Sequence, residues 1–294
     1  MLFSSKNPKY EHLRKKWVGK HREVSQNFLE KHGDTVRRLT LGGVGSMMLL
    51  ATPATTLVTS HQLAGSGGSI TSAEDKNQLL AKALAGQVPD EVRPLTPQEE
   101  QTIAQTLTSQ LGIVVKPELD GVRLNRSYGL IGGEQHLYRY PGDTLYSHAT
   151  SAADWAMYGD AGIAPGLGAW GYFAPSQQQF TPKDAQRERY YIAVQTFLAP
   201  GFAENVAKYR DFFRYRKMIV VNPKTGQAVV TDVGDAGPAD WTGKHLGGSP
   251  EVMQEVGLAQ GPRKGAVIYM FIDDPNDQIP LGPVTIRNTQ LAQK

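Results

Sequence analysis

The sequence predicts a mainly β fold with accessory helices, preceded by an N-terminal extension of different composition. Two β-branched, apolar runs at 218–221 and 228–233 are joined by a short segment, 222–226, that contains Pro and Gly. This order is typical of a β-hairpin, because those residues supply the fixed and the positive φ values of a tight connection. A further apolar run, 266–272, has the length of a buried strand. With 294 residues, of which 40% are apolar, the chain is long enough for one folded domain and its appendages.

The N-terminal region is divided by charge. Residues 1–40 hold ten Lys and Arg against four Asp and Glu, whereas no Asp, Glu, Lys or Arg occurs from Leu39 to Ala73. The run 39–58 is long enough to cross a bilayer core of about 30 Å as a helix, and the preceding positive charge predicts a cytoplasmic N-terminus. A signal anchor, a cleaved export signal and a buried helix of a soluble protein all fit this run. We expect a membrane anchor with an extracytoplasmic C-terminal domain, with cleavage and secretion as the alternative.

The other predicted elements lie on both sides of the hairpin in the sequence. Thr96-Pro97 followed by Glu99 is a capping pattern, which predicts a helix over 96–111. Asp120-Gly121 predicts a turn between two short strands. The other expected elements are helices over 74–85 and 202–216 and strands over 190–197 and 280–286. The expected divisions are a basic cytoplasmic tail (1–38), a transmembrane or export segment (39–60), a linker (61–95), an accessory α/β region (96–165) and a barrel domain (166–294).

The hairpin leads directly into a loop that is the main functional signal. Its second strand continues into Gly234-Asp235-Ala236-Gly237-Pro238, so that Asp235 lies at a strand end between residues that allow a ligand to approach the backbone. Asp235 is therefore the candidate catalytic residue, as a general acid and base. Such a carboxyl group has to stay partly protonated, which requires an apolar setting or a nearby negative charge.

This region contains, in order, a strand, an Asn-x-x-x-Gly turn, a second strand, an Asp-x-Gly-Pro loop, Ser-Pro and a short helix ending in Gly-Leu. This order resembles the double-psi β-barrel of rare lipoprotein A and, more distantly, the expansins. The resemblance covers about forty residues of 217–258. It implies a six-stranded double-psi-like barrel whose first strand corresponds to 170–173. It also implies that Asp235 lies in a glycan-binding groove, and some members of the family cleave peptidoglycan by lytic transglycosylation. The second aspartate of the family, in an Asp-Leu-Ser pattern, is absent here, since Gly247 stands at its position.

Further candidate substrate-binding residues are aromatic or polar. Aromatic rings stack on the apolar faces of sugars, and an imidazole can carry protons near neutral pH. The residues predicted to bind substrate are Trp170, Tyr172, Asp232, Trp241 and His245.

Several chemistries have no support in the sequence. The absence of cysteine excludes disulfides, thiol nucleophiles and cysteine-based zinc sites. His148 and Asp154 are one residue closer than in the D-alanyl zinc carboxypeptidases, and no Glu-x-x-His follows. Convergence of His136, Asp143 and His148 on a metal is a conceivable alternative, but we expect no metal and no cofactor. Phosphate-binding and serine-hydrolase motifs are also missing, and no nucleic-acid partner is expected.

Three functions fit these observations. The first is an exported cell-envelope protein that binds and cleaves peptidoglycan or a related glycan. The second is a glycan-binding or wall-loosening module without bond cleavage, which the glycine at position 247 favours. The third is a scaffold for protein partners, with the aromatic region as its interface.

Overall fold

The computed structural model of the protein describes residues 72–149, 151–152, 154–155 and 159–287. The predicted basic tail, the predicted transmembrane or export segment and the first part of the predicted linker lie outside these residues. Within the described ranges, no helix has the length and apolar character needed to cross a membrane.

The described residues form six α-helices and ten strands, with a few short 3-10 turns. The helices are α1 (Ala73–Leu84), α2 (Pro97–Leu111), α3 (Leu145–His148), α4 (Pro182–Arg189), α5 (Val206–Phe213) and α6 (Pro250–Glu255). The strands are β1 (Val115–Lys116), β2 (Glu118–Leu119), β3 (Val122–Arg123), β4 (Tyr128–Gly133), β5 (Tyr191–Val194), β6 (Lys217–Val221), β7 (Ala228–Ala236), β8 (Leu246–Gly248), β9 (Lys264–Ile272) and β10 (Gly282–Val284).

Six of the strands close into a mixed β-barrel. Their order around the barrel is β4, β9, β6, β7, β5 and β8, and β8 pairs with β4 to complete the circle. The pairs β7–β5 and β8–β4 are parallel, and the other four pairs are antiparallel. Closure leaves these six strands without a free edge. The predicted hairpin is confirmed as β6 and β7, and the predicted strand at 266–272 is confirmed within β9.

The barrel interior follows from the alternation of side chains along each strand. Met218 and Val220 of β6 belong to a core cluster to which all six barrel strands contribute, whereas Ile219 and Val221 belong to a second cluster shared with α1 and α2. The first cluster therefore fills the barrel and the second lies between its outer face and the two helices. β6 and β9 are apolar on both faces because both faces are covered.

The predicted N-terminal cap of α2 is confirmed. Thr96 accepts a hydrogen bond from the Glu99 amide, and the Glu99 carboxylate accepts one from the Thr96 amide. Helix α1 packs against the β6–β7 turn at Gly226, where a Cβ atom would lie 1.8 Å from the Asn77 carbonyl oxygen. Only glycine permits this approach, and it also provides the positive φ of the turn.

The first barrel strand differs from the prediction. Residues 170–173 form a turn and a bend, and Gly171 has a φ of 77°. The strand that begins the barrel is β4, which pairs with both β8 and β9. β4 lies within the stretch 96–165 that the sequence analysis assigned to an accessory region.

Candidate functional site

A β-bulge orients Asp235 toward the outer face of the barrel. Along the β5–β7 pair, Ile192 lies opposite Val233, but Ala193 lies opposite Asp235, so Gly234 is the extra residue. Ile192 and Val233 point into the barrel core, and the next register pair therefore faces outward. Regular alternation from Val233 would have placed Asp235 inside. Bulges often re-aim a side chain in this way next to functional sites.

The two oxygens of Asp235 differ in their contacts. Oδ1 accepts hydrogen bonds from the amides of Ala169, at 2.6 Å, and Ala236, at 2.7 Å. Among the described residues, no hydrogen bond is made to Oδ2. Burial raises the pKa of this half-buried carboxyl group, and the two amides, which favour the charged form, oppose the increase. The two backbone amides thus fix the Asp235 side chain through Oδ1, and Oδ2 is available to a ligand.

A second carboxylate occupies the space that a side chain at position 247 would fill. Ala193 lies opposite Asp235 on one side and opposite Gly247 of β8 on the other, so that Asp235 and Gly247 are about 10 Å apart at their Cα atoms. A Cβ atom on Gly247 would lie 2.5 Å from Cγ and Oε1 of Glu134. The Glu134 carboxylate, which accepts a hydrogen bond from Lys244 Nζ at 2.6 Å, therefore fills the space above Gly247. The sequence analysis did not identify Glu134.

His245 is fixed to the neighbouring strand. Its Nδ1 accepts a hydrogen bond from the Leu130 amide at 3.0 Å, and its ring packs against Gly129. Since Nδ1 accepts this bond, the proton of the neutral ring lies on Nε2. Burial lowers the pKa of His245, which favours the neutral ring at pH 7. This histidine is positioned as a hydrogen-bonding group.

The predicted aromatic residues fall into two groups. Trp241 is 89% exposed and Tyr172 is 36% exposed, so each offers a face to a ligand. Trp170 instead donates from its indole nitrogen to the Val233 carbonyl oxygen at 2.9 Å and packs on the barrel core. It anchors the loop whose Ala169 amide holds Asp235.

Asp232 lies apart from this arrangement. It lines a cavity of about 400 Å³ together with Arg187, Lys217 and Asp277, and its Oδ2 lies 3.7 Å from Arg187 Nε. Burial raises its pKa well above the ordinary value. The charge of Asp232 does not contribute to the raised pKa of Asp235, which arises from burial.

A second set of ionisable groups surrounds Glu188, at the end of α4. His136 Nδ1 lies 3.2 Å from Glu188 Oε1, and His148 Nδ1 lies 3.3 Å from Glu188 Oε2. The side chains of all three are between 2% and 5% exposed. One ligand atom from each lies within 4.8 Å of the others. We call these three residues the Glu188 cluster.

Asp143 holds the other side of His148. Its Oδ2 lies 2.9 Å from His148 Nε2, and its two oxygens accept hydrogen bonds from the Arg139 guanidinium at 3.1 Å. Burial opposes the charge of His148, but the carboxylates of Asp143 and Glu188 outweigh it and raise the pKa of His148 to about 9. The pKa of Glu188 is lowered to about 2 against the effect of burial, because both histidines contact it.

Tyr191 lies between the Glu188 cluster and the face that carries Asp235. It is buried and donates a hydrogen bond to the Gln135 carbonyl oxygen. Burial raises its pKa well above the ordinary value, and four carboxylates add to the increase: Glu134, Glu188, Asp235 and Glu251. Carboxylates of both sets therefore raise the pKa of the buried Tyr191 hydroxyl.

The burial of Glu251, on α6, leads us to expect a measurable pH dependence of stability. It is buried, its Oε2 has no hydrogen-bond partner, and burial raises its pKa to about 7. Because the folded-state pKa lies above the ordinary pKa of a glutamate, the contribution of this group to stability is complete below that ordinary pKa and is lost as the pH rises through 7. Glu251→Gln should therefore raise the free energy of unfolding at pH 8 by about 3 kcal/mol and change it much less at pH 4.5.

Denaturant unfolding at the two pH values measures this difference. Glu118→Gln, on the exposed end of β2, is the matched control and should show equal small effects at both. An equal effect of Glu251→Gln at pH 4.5 and 8 would contradict the assignment.

The fold and the site define a closed six-stranded mixed β-barrel with two carboxylates on its outer face, Asp235 on one side of Ala193 and Glu134 above Gly247 on the other. Comparison of the chain with protein-family models, with curated proteins and with solved structures gave no match.

Proposed function

We propose that the barrel binds a cell-envelope glycan, with peptidoglycan as the first candidate, and cleaves it by lytic transglycosylation. The proposal treats the closed mixed barrel as a double-psi barrel of the rare lipoprotein A type, with which the parallel and antiparallel pairing is compatible. The observation that supports it most is the orientation of Asp235, which a bulge turns out of the core and which retains an oxygen without a protein partner among the described residues.

Asp235 has the properties that this reaction requires of its acid. A half-buried carboxyl group with a raised pKa retains its proton to a higher pH, and can donate it to the glycosidic oxygen as the bond breaks. The resulting carboxylate then accepts the proton of the sugar hydroxyl that attacks the anomeric carbon and closes the anhydro ring. One carboxyl group thus performs both transfers, because the nucleophile belongs to the substrate.

The other candidate residues are proposed to bind the sugar. Trp241 and Tyr172 offer exposed rings for stacking. Glu134 supplies a carboxylate at the place of the absent family aspartate, where it can accept hydrogen bonds from sugar hydroxyls. His245 contributes a neutral ring whose Nε2 is the donor.

The proposed location follows from the sequence. An uncharged run after a basic tail supports export and attachment to a membrane through residues 39–60, with cleavage and secretion as the alternative. Cell fractionation that recovers the full chain with cytosol would contradict this part of the proposal.

A second candidate function is glycan binding without cleavage. It is favoured by the ion pair between Glu134 and Lys244, because a paired carboxylate is a poorer proton carrier than a free one. Such a protein would loosen or mark the wall.

One experiment separates these candidates. The full chain is incubated with insoluble peptidoglycan, and with cellulose as a control polymer, and both the bound protein and the soluble products are measured. Anhydro-muropeptides indicate lytic cleavage, whereas retention on peptidoglycan without products indicates the binding module. Neither retention nor products would overturn the glycan proposal and favour the protein scaffold.

Trp241→Ala is expected to weaken retention on peptidoglycan by about 2- to 10-fold, the range that corresponds to one aromatic contact. The melting temperature should not change, because the side chain is 89% exposed. Tyr146→Ala removes an 80% exposed ring on α3 that stacks on Trp155, and serves as the control. Equal retention of the two variants and the wild type would exclude Trp241 from the binding surface.

A further inference from the structure

We infer that the Glu188 cluster is a binding site for a divalent transition metal of the zinc type, with His136, His148 and Glu188 as its protein ligands. This inference does not depend on the proposed glycan function. It differs from the expectation drawn from the sequence, which assigned no metal to the chain.

The first support is the choice and spacing of the donor atoms. Two imidazoles and one carboxylate form a ligand set that zinc uses in sites with three protein ligands. His136 Nδ1 lies 3.2 Å from Oε1 of Glu188, and His148 Nδ1 lies 3.3 Å from Oε2. One ligand atom from each of the three residues lies within 4.8 Å of the others. In a tetrahedral site with bonds of about 2.0–2.1 Å, adjacent ligand atoms are about 3.3 Å apart. The donors are therefore close enough to converge on one ion after a small rotation of their side chains.

The second support is the orientation of His148. Its Nε2 is held by Asp143 at 2.9 Å, which directs Nδ1 toward Glu188. A metal-binding histidine commonly donates its second ring N–H to a carboxylate in this manner. The Leu137 amide similarly donates to Glu188 Oε1 at 3.2 Å and fixes the carboxylate between the two rings.

The third support is an incompletely satisfied nitrogen beside a small cavity. Nδ1 of His148 is buried and lacks a partner in hydrogen-bond geometry, although Glu188 Oε2 is nearby. A cavity of about 10 Å³ adjoins the cluster, close to the volume that one water molecule occupies. Its lining residues are His136, Leu145, His148, Ala149, Trp155 and Gly159. The cavity leaves room for a water molecule beside the two histidines.

The ion would connect three segments of chain that are distant in sequence. His136 follows β4, His148 ends α3 and Glu188 lies near the end of α4, which leads into β5. Glu134 is two residues before His136. The metal would thus fix the segment that carries Glu134 against the same barrel face as Asp235.

Zinc retention by the full chain tests the inference. The protein is produced without a polyhistidine tag, treated with a chelator, supplied with Zn²⁺, passed through a desalting column and analysed by mass spectrometry for metal. The wild type should retain one equivalent, which His136→Gln, His148→Gln and Glu188→Gln should each lose. His245→Gln makes the same chemical change outside the cluster and should retain it.

Two further measurements keep the result interpretable if a ligand variant does not fold. Asp143→Asn leaves the three ligands in place and changes the carboxylate that orients His148 and pairs with Arg139, and it should weaken zinc binding by about 10- to 100-fold. Zn²⁺ should also raise the melting temperature of the wild type in a concentration-dependent manner, and Co²⁺ should give the visible absorption of a tetrahedral site. A wild type that retains no zinc, or variants that retain as much as the wild type, would show that the cluster is an ion-pair network only.

Discussion

Asp235→Asn is expected to reduce the release of anhydro-muropeptides by at least about 100-fold, the lower end of the usual contribution of a general acid and base. Asparagine has nearly the shape of aspartate, and its carbonyl oxygen can still accept the amides of Ala169 and Ala236. The loop should therefore keep its structure. The variant lacks only the proton that the reaction transfers.

Stability measurements separate this loss from misfolding. Because burial raises the pKa of Asp235, the ionised group opposes folding above its unfolded-state pKa, and its effect is absent at low pH. The neutral variant should be at least as stable as the wild type at pH 7. Asp240→Asn, an exposed aspartate five residues further on, is the control and should leave product release unchanged. Undiminished release by Asp235→Asn would show that this residue is not the acid.

The parts of the fold that the sequence predicts correctly depend on local signals. The turn at 222–226 determines the β6–β7 pairing, and Thr96 with Glu99 marks the start of α2. In both cases the residues that make the interaction are within a few positions of one another. Their side-chain chemistry therefore specifies the structure without knowledge of the rest of the chain.

The prediction that 170–173 form the first barrel strand is wrong, and its cause is a long-range interaction. The aromatic segment 170–173 has strand-like composition, but it forms the loop that holds Asp235. The strand β4 is completed by β8, which is more than a hundred residues away in sequence. Since parallel pairing carries no local turn signal, composition alone could not distinguish these two segments.

The candidate site shows the same limit at the level of single residues. The loop sequence identified Asp235, but it also suggested Asp232, because both lie near the end of one strand. The bulge at Gly234 separates their environments, and its position depends on the register with β5. No local signal in the sequence identified Glu134, and only the position of its side chain above Gly247 assigns it to the site.

The Glu188 cluster needed tertiary structure for a similar reason. The sequence analysis considered His136, Asp143 and His148 together, but Glu188 is 52 residues beyond His136. Without that carboxylate the three residues matched no metal-binding spacing. Glu188 meets His136 and His148 only in the folded chain, at the end of α4.

Gly247→Asp is expected to lower the free energy of unfolding by about 1–3 kcal/mol, the usual cost of overpacking. The new Cβ would lie 2.5 Å from Glu134, and a second carboxylate would compete for Lys244. Gly166→Asp introduces the same residue where a Cβ meets no atom within 4 Å, and should change stability little.

The double variant Glu134→Ala, Gly247→Asp tests the underlying claim that these two positions share one space. Removing the Glu134 side chain vacates that space, and the introduced aspartate can then accept the hydrogen bond from Lys244. We therefore expect the double variant to be more stable than the sum of the single changes predicts, by about 0.5–3 kcal/mol of coupling. Denaturant unfolding of the four proteins in the cycle provides the measurement. Additive effects would show that the Glu134 carboxylate does not occupy the space beside Gly247, and its assignment to the site would then be wrong.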